Sequence, residues 1–409
     1  MMRVSHQQSV VALFLTTVVS VAAHATVSAQ VVVVGTGNPT TDVAAVQAAV
    51  DAGGVVKLQG TFSFDVPPVD ERTVLVTTGV VVEGIPDPHG NMPVITGGLK
   101  PFQVIAPGHS VAFRGLRFVG AGLTVIEVRS ADGVAIEYCR IEDVEPLFAS
   151  AIGTNLAIGV TLGFFTVGQV VGDISIAQNY FDIGGTAADR SEAIVAIAVG
   201  RADRPVGLRV LDNVVRNTVA HGIDIRNIVG QAAIERNDVS TGPVGGQTVP
   251  FGDRFVDGIR ILGAGSYLVA HNRVEVGYEN AAGIRLQGGP TAPIAGAVVF
   301  ANDVSMVSSD GALFGGESAG IEVRRAAANN MILANRIRGR AQAAMALVAE
   351  PSGAPRDTTF TGNNVSTFAA TLADVYVGQG VTNTTVIGGH GSLLDQGTGT
   401  VVKGGYIVP

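Results

Sequence analysis

The sequence has few of the residues that form disulfides or neutralise phosphates. It contains one cysteine, Cys139, and no tryptophan, so an internal disulfide is excluded. Lysine occurs only at Lys57, Lys100 and Lys403, and 34 acidic residues face 26 basic ones, for a formal net charge of −8. A protein that binds nucleic acid by neutralising phosphates needs the opposite balance. The composition therefore argues against a nucleic-acid partner.

Long apolar runs are also scarce, and the clearest one lies near the N-terminus. Residues 10–23 are nearly all apolar, follow Arg3 and precede small residues up to Ala29. The run is shorter than the roughly 20 residues that cross a bilayer as a helix, and its flanks are typical of a Sec-type signal peptide. We therefore expect cleavage after Ala29 or Ala25, no membrane span in the mature chain, and a secreted or periplasmic location.

Glycine and apolar residues are abundant. The chain of 409 residues holds 54 glycines, and hydrophobic residues make up 47% against 15% charged. This is too hydrophobic for a disordered chain and too rich in glycine for a helical bundle. The composition predicts many short strands joined by turns.

An asparagine recurs about every thirty residues, each time after alternating apolar residues. The asparagines are Asn179, Asn213, Asn237, Asn272, Asn302, Asn335 and Asn363, with Leu116, Cys139 and Gly389 in the same slot of other copies. Asparagine tolerates left-handed backbone conformations, and stacked side-chain amides can hydrogen-bond to one another along a solenoid. We interpret this column as structural.

A second pattern lies between the asparagines: a glycine or small residue, then apolar, variable and apolar residues. Clear copies begin at Gly222, Gly258, Gly283 and Gly320, and weaker ones begin at Val125, Gly159, Ala196, Ala344 and Asp374. The period of two indicates strands with one apolar face. A repeat of about thirty residues cannot bury that face alone, so successive repeats must stack.

These two patterns, together with the opening segment from Asp42 to Val56, resemble the right-handed parallel β-helix of the pectate-lyase-like superfamily over nearly the whole mature chain. The resemblance assigns no subfamily. It implies an all-β fold, a single-stranded right-handed parallel β-helix of about ten coils with an N-terminal capping α-helix. Thr41 or Asp42 is the expected N-cap of that helix, and Gly53 and Gly54 are expected to end it. The expected regions are a signal peptide (1–29), an N-terminal strand and capping helix (30–60) and the β-helix (61–409).

The variable position of the second pattern defines an outward column. Equivalent residues of successive coils lie about 4.8 Å apart in such a stack. The weaker copy that begins at Ala196 places Ala198 in this column. Four later coils carry polar residues either in this column or two positions further along the strand. These residues are Asp224, Arg226, Arg260, Arg285, Gln287, Glu322 and Arg324. Long connections at 240–257, 276–282 and 305–319 precede their strands and carry aromatics such as Tyr278. The surface is either a substrate groove or a solvated ladder of ion pairs.

A histidine and an aspartate stand out two positions before the inward isoleucine. Most coils carry a small or apolar residue there, including Val195, but two adjacent coils carry His221 and Asp257. A His-Asp pair beside Asp224 and Arg260 can supply an acid or base with a shifted pKa, so these four residues are the candidate catalytic set. The alternative is a buried, mutually satisfied pair that closes a turn.

The resemblance implies a protein that acts on polysaccharides, and an arginine-rich lining favours an acidic glycan. In a lyase, an arginine would neutralise the uronate carboxylate while His221 or an arginine removes the adjacent proton. In a hydrolase, Asp224 and Asp257 would be the acid and base. The paired aspartates of polygalacturonases and the calcium-binding acidic set of pectate lyases have no residue-by-residue match here.

The remaining predictions concern ligands and assembly. Arg226, Arg285, Gln287, Glu322, Arg324 and Tyr278 are the candidate substrate-binding residues. No metal ligands and no cofactor are predicted, and no motif supports the calcium that some β-helix enzymes bind. The protein is expected to be a monomer. The competing hypothesis is a non-catalytic carbohydrate-binding protein, adhesin or structural surface protein built on the same ladder.

Overall fold

The computed structural model describes residues 30–65, 73–144, 156–164, 166–184, 190–242, 256–277, 281–289, 292–306 and 318–407. The predicted signal peptide and Tyr278 lie outside these residues. One helix, α1 (Pro39–Ala52), follows the first strand.

Short strands make up most of the described chain. The first eleven are β1 (Gln30–Val34), β2 (Gly54–Gln59), β3 (Thr61–Ser63), β4 (Val74–Val76), β5 (Val80–Gly84), β6 (Val94–Thr96), β7 (Phe102–Ala106), β8 (Val111–Arg114), β9 (Arg117–Val119), β10 (Thr124–Glu137) and β11 (Arg140–Glu142). The next twelve are β12 (Leu156–Leu162), β13 (Val170–Ala177), β14 (Tyr180–Asp182), β15 (Arg190–Ile197), β16 (Val206–Leu211), β17 (Val214–Thr218), β18 (His221–Arg226), β19 (Gly230–Glu235), β20 (Asp238–Thr241), β21 (Val256–Leu262), β22 (Ser266–Ala270) and β23 (Arg273–Val276). The last twelve are β24 (Ala281–Gln287), β25 (Ile294–Ala295), β26 (Val298–Phe300), β27 (Asp303–Met306), β28 (Ala319–Arg324), β29 (Ala327–Ala328), β30 (Met331–Leu333), β31 (Arg336–Val348), β32 (Thr359–Thr361), β33 (Asn364–Val377), β34 (Thr385–Asp395) and β35 (Val401–Ile407).

The strands stack in register into three parallel faces, which we call sheets 1, 2 and 3. Sheet 1 runs through β4, β7, β10, β12, β15, β18, β21, β24, β28, β31 and β33. Sheet 2 contains strands such as β13, β16, β19, β22 and β26, and sheet 3 strands such as β14, β17, β20, β23 and β27. β10 is long enough to pair in both sheets 1 and 2. The predicted right-handed parallel β-helix is confirmed.

One apolar core runs along the axis of the solenoid. In β18, Ile223 and Ile225 are fully buried, as are Ile259 and Ile261 of the next strand in sheet 1. Each stacks on its equivalent in the neighbouring coil. Because β-branched side chains pack well on a pleated surface, this repetition favours strands throughout. The core stabilises the fold without any disulfide, since Cys139 is a buried free thiol.

The helix α1 covers the first coil, as predicted, but it begins earlier than the sequence suggested. Its N-cap is Asn38, whose side chain accepts a hydrogen bond from the Thr41 amide, and Pro39 occupies the first turn. The prediction of Thr41 or Asp42 as N-cap is wrong. The Asp42 carboxylate instead accepts hydrogen bonds from the amides of Thr36 and Ser63. The predicted end is confirmed by Gly53, at φ 71°.

The asparagine column forms a continuous ladder of buried amides. In each case the Nδ2 group donates to the Oδ1 atom of the next asparagine, at 2.9–3.0 Å, from Asn179 through to Asn363. The left-handed residue is not the asparagine, however, but the one before it, for example Gln178, Asp212 and His271. The amide stacking was predicted correctly, but the left-handed backbone conformation occurs at the residue before the asparagine.

Within the described ranges, no helix is long and apolar enough to cross a membrane.

Candidate active site

Sheet 1 aligns most of the predicted polar residues as the repeat implies. Asp224 pairs with Arg260, Arg260 with Arg285, and Arg285 with Glu322 across β18, β21, β24 and β28. Gln287 pairs with Arg324 in the neighbouring column. The parallel pairing therefore brings these side chains onto one outward face.

The coil of β15 differs from the prediction by three residues. Ile194 pairs with Ile223 and Val195 with Asp224, so Val195, not Ala198, lies in the outward column. Glu192 consequently lies two positions before the inward Ile194, as His221 does before Ile223. The prediction placed Val195 at the position of this coil that is equivalent to His221, and it is wrong because Glu192 lies there. Sequence reasoning missed Glu192, although a small-apolar-variable-apolar match beginning at Ala193 would have found it.

His221 lies between two carboxylates and is almost fully buried. Its Nδ1 atom lies 3.3 Å from Oδ2 of Asp257, and its Nε2 atom lies 3.9 Å from Oε1 of Glu192. Burial, followed by the positive charge of Arg260, lowers the pKa of His221 below 6.5 despite the nearby carboxylates. The ring is therefore neutral at pH 7. A proton on Nδ1 would face Asp257 and would leave the Nε2 lone pair to accept another.

Asp224 is held by two arginines. Arg226 donates to its carboxylate through Nε at 2.7 Å, and Arg260 donates through Nε at 3.0 Å and Nη2 at 2.6 Å. Burial would raise the pKa of Asp224, but the charges of Arg260 and Arg226 outweigh it and hold the pKa well below 3.8. Asp224 is fully buried, whereas the side chains of Arg226 and Arg260 are 22% and 13% exposed. Two guanidiniums thus share one carboxylate, and the group carries a net positive charge beside His221.

A second chain of charges starts at Asp257 and runs along sheet 1. Arg285 Nη1 lies 3.1 Å from Asp257 Oδ1, and Arg285 Nε donates to Glu322 Oε2 at 2.7 Å. Glu322 Oε1 lies 2.9 Å from Arg324 Nη1, and Arg324 contacts Glu350. Burial raises the pKa of Asp257, but Arg285 and His221 more than compensate and lower it below 3.8. Positive and negative charges alternate along this chain.

The structure therefore divides the candidate substrate-binding residues into two groups. Arg285, Gln287, Glu322 and Arg324 are at most 4% exposed, and the three charged ones pair with protein groups. Arg226, like Arg260, keeps an exposed edge. Tyr278 lies outside the described residues.

Glu192, His221 and Asp224 are close enough to be considered as metal ligands. One ligand atom from each lies within 4.8 Å of the others, and all three side chains are buried. Two guanidiniums already bind the Asp224 carboxylate, however, and a divalent cation there would face both positive charges. The donor set fits a proton-transfer site better than a metal centre.

Comparisons with known proteins agree with the fold. No protein-family model matches the sequence, and no curated protein matches it. Among solved structures, the chain is similar to the A-module of the mannuronan C-5 epimerase AlgE4 of Azotobacter vinelandii, with 14% identity, a TM-score of 0.51, and 92% of this chain and 98% of that chain covered. It is also similar to DFA-IIIase of Arthrobacter chlorophenolicus A6 bound to DFA-III, with 16% identity, a TM-score of 0.50, and 87% and 93% of the two chains covered. At these identities the likeness shows the β-helix fold alone.

Proposed function

We propose that this protein is a secreted or periplasmic enzyme that acts on an acidic, uronate-containing polysaccharide on the outer face of sheet 1. One observation carries the proposal. Arg226 and Arg260 share the single carboxylate of Asp224 beside a neutral histidine, His221. A net positive group next to a base is what proton removal beside a carboxylate requires.

The proposed first step is abstraction of the proton on the carbon next to the uronate carboxylate. The exposed edges of Arg226 and Arg260 bind that carboxylate. The carbon's proton moves to Nε2 of His221, and the electron pair of the C–H bond moves into the carboxylate to give an enediolate. The guanidiniums stabilise the added negative charge in a site with little water. The imidazolium that forms is stabilised by Asp257, 3.3 Å from Nδ1.

Two outcomes follow from the same intermediate. If its electron pair expels the glycosidic oxygen on the neighbouring carbon, and this oxygen takes the proton held by His221, the bond is cleaved as in a lyase. If water protonates the carbon from its other face and His221 returns its proton to the solvent, the sugar is epimerised. The mannuronan epimerase with the same fold supports this chemistry as a class. The states of Asp224 and Asp257 favour it over hydrolysis, because both have lowered pKa values and a hydrolase needs one carboxyl group that carries a proton.

A non-catalytic carbohydrate-binding or structural protein is the second candidate. The observation that favours it is the alternating chain of charges from the buried Asp257 to the partly buried Glu350, whose ion pairs join neighbouring coils whether or not a reaction takes place.

The test is a panel of acidic and neutral polysaccharides, incubated in D₂O with and without calcium. Ultraviolet absorbance of unsaturated uronates together with new reducing ends would identify a lyase, and deuterium in uncleaved sugar would identify an epimerase. Reducing ends without absorbance would contradict the proposal in favour of a hydrolase.

The matched variant is His221→Gln, and the control is Arg236→Gln in the exposed pair with Asp212. We expect His221→Gln to lower the rate by a factor of about 10² to 10⁴, the usual contribution of a general base, and Arg236→Gln to leave it unchanged. Glycan binding without any reaction in the wild type would favour the second candidate.

A further inference from the structure

The buried chain that begins at Asp257 has a role that the sequence did not suggest. We propose that Arg285 and Glu322 are positioning residues: they hold the Asp257 carboxylate in one orientation and so keep the proton of His221 on Nδ1, with Nε2 free to accept. The inference deepens the proposed function, but it concerns the state of the histidine and can be measured without any substrate.

The first observation that supports this role is the set of contacts made by the Asp257 carboxylate. Oδ2 lies 3.3 Å from His221 Nδ1 and accepts a hydrogen bond from Arg285 Nη1 at 3.3 Å, while Oδ1 lies 3.1 Å from the same Nη1 and accepts from the Ala282 amide at 3.3 Å. Asp257, Ala282 and Arg285 have no solvent exposure, and His221 has 3%. Arg285 Nη1 thus contacts both carboxylate oxygens, and rotation of the carboxyl group would break these contacts together with those to His221 and Ala282.

The second observation is that the opposite edge of Arg285 is held by Glu322. Its Nε donates to Glu322 at 2.7 Å, and Arg324 contacts the other oxygen of Glu322 at 2.9 Å. A planar guanidinium can contact Asp257 and Glu322 at once, whereas the single ammonium of lysine cannot reproduce both directions. Glu322 therefore fixes the plane of Arg285, and Arg285 fixes the carboxylate that faces the histidine.

Among the residues that the structure describes, the charged groups close to His221 belong to three strands of sheet 1. Glu192 approaches from β15, Asp224 lies on β18 with the histidine, and Asp257 and Arg260 lie on β21. Arg285 of β24 contacts Asp257 and acts on the ring through it. Of these groups, Asp257 is the one within 3.3 Å of Nδ1, so its orientation decides which nitrogen holds the proton.

The experiment uses full-length protein labelled with ¹⁵N-histidine, and records the ring nitrogens by NMR as a function of pH. The His221 signals are assigned by their loss in His221→Gln. We expect the wild type to show one tautomer, protonated on Nδ1.

Two variants of Arg285 separate geometry from charge. Arg285→Lys keeps the charge and should give a mixture of the two tautomers. Arg285→Gln also removes a positive charge next to Asp257, and should shift the titration midpoint of His221 upward. Glu322→Gln should give the tautomer mixture with Arg285 intact, which covers the case in which Arg285→Gln does not fold. Arg236→Lys, in an exposed pair, is the control and should change neither property.

An unchanged tautomer and midpoint in Arg285→Lys and Glu322→Gln would overturn the inference, as would a wild-type histidine protonated on Nε2. If the proposed function fails on every glycan but the tautomer responds as expected, the positioning role stands alone. If the enzyme is active, Arg285→Lys should lower kcat and displace the pH profile with little change in KM. A raised KM at unchanged kcat would instead make Arg285 a substrate-binding residue.

Discussion

The buried clamp on Asp224 predicts an unusually large loss of stability when its charge is removed. Its fully buried carboxylate accepts hydrogen bonds of 2.6–3.0 Å from two arginines. Asp224→Asn keeps the shape but leaves both guanidiniums, mostly buried, without their counterion. Breaking a buried ion pair in this way costs about 3–5 kcal/mol. We therefore expect the free energy of unfolding at pH 7 to fall by about that amount.

The matched control is Asp212→Asn. Asp212 also binds one arginine through two contacts, at 2.8 and 3.0 Å to Arg236, but the two side chains are 40% and 50% exposed. Exposed pairs contribute about 0–1 kcal/mol. Urea unfolding followed by circular dichroism gives both values from the midpoints, provided that the slopes agree.

The two variants Asp224→Asn and Asp212→Asn also test the reasoning as a function of pH. Because the folded pKa of Asp224 is lowered, the carboxylate contributes stability that is fully present above its unfolded value of 3.8 and is lost as the pH falls below it. The gap between wild type and Asp224→Asn should therefore narrow below pH 3.8. Equal losses in Asp224→Asn and Asp212→Asn, or a gap that ignores acid, would refute the reasoning.

Two further predictions concern the base and the amide ladder. Because the pKa of His221 lies below 6.5, proton abstraction should increase with pH through a midpoint below 6.5 and level off by pH 7; a rising limb centred above pH 7 would point to a different base. Asn272 makes four hydrogen bonds of 2.8–2.9 Å to its neighbours, so Asn272→Ala should lower the free energy of unfolding by about 3 kcal/mol or more in urea titrations. The side chain of Asn364 is exposed and accepts one hydrogen bond, from the Ser366 amide, so Asn364→Ala should lower the free energy of unfolding by only about 1 kcal/mol. Equal losses in the two variants would count against the ladder.

The sequence predicted the fold well because the β-helix repeats its requirements in every coil. Each coil needs an inward apolar pair and an amide at the same turn, so a single weak copy such as Cys139 does not hide the period. The strands β18 to β28 were aligned correctly because Gly222, Gly258, Gly283 and Gly320 mark each one.

The misplaced coil shows where the pattern fails. The segments starting at Ala193 and Ala196 both fit a small-apolar-variable-apolar strand. The predicted alignment was displaced by three residues, which is an odd number. Because side chains alternate between the two faces of a strand, that alignment assigned Ile197 to the interior instead of the outer face and left Glu192 out of the site. Backbone pairing decides between the two alignments, and local composition does not.

Burial was the second property that the sequence could not provide. Arg260 and Arg285 occupy equivalent positions in the repeat, yet one side chain is 13% exposed and the other has no exposure. The difference depends on which carboxylates lie nearby in three dimensions, and the partners of Arg285 come from strands on both sides of it.

The direction of the asparagine ladder limits how the length of this protein can change. Between asparagines, every amide donates to the one in the later coil and accepts from the one in the earlier coil, and its second N–H group donates to a backbone carbonyl of the earlier coil. A duplicated coil inserted between two others would meet the correct partner on both sides. An insertion of half a coil would move the next asparagine out of the column and leave buried amides without their partners. Gain or loss of whole coils is therefore the change that this architecture tolerates, and the outer face of sheet 1 would lengthen or shorten by one strand spacing, about 4.8 Å, each time.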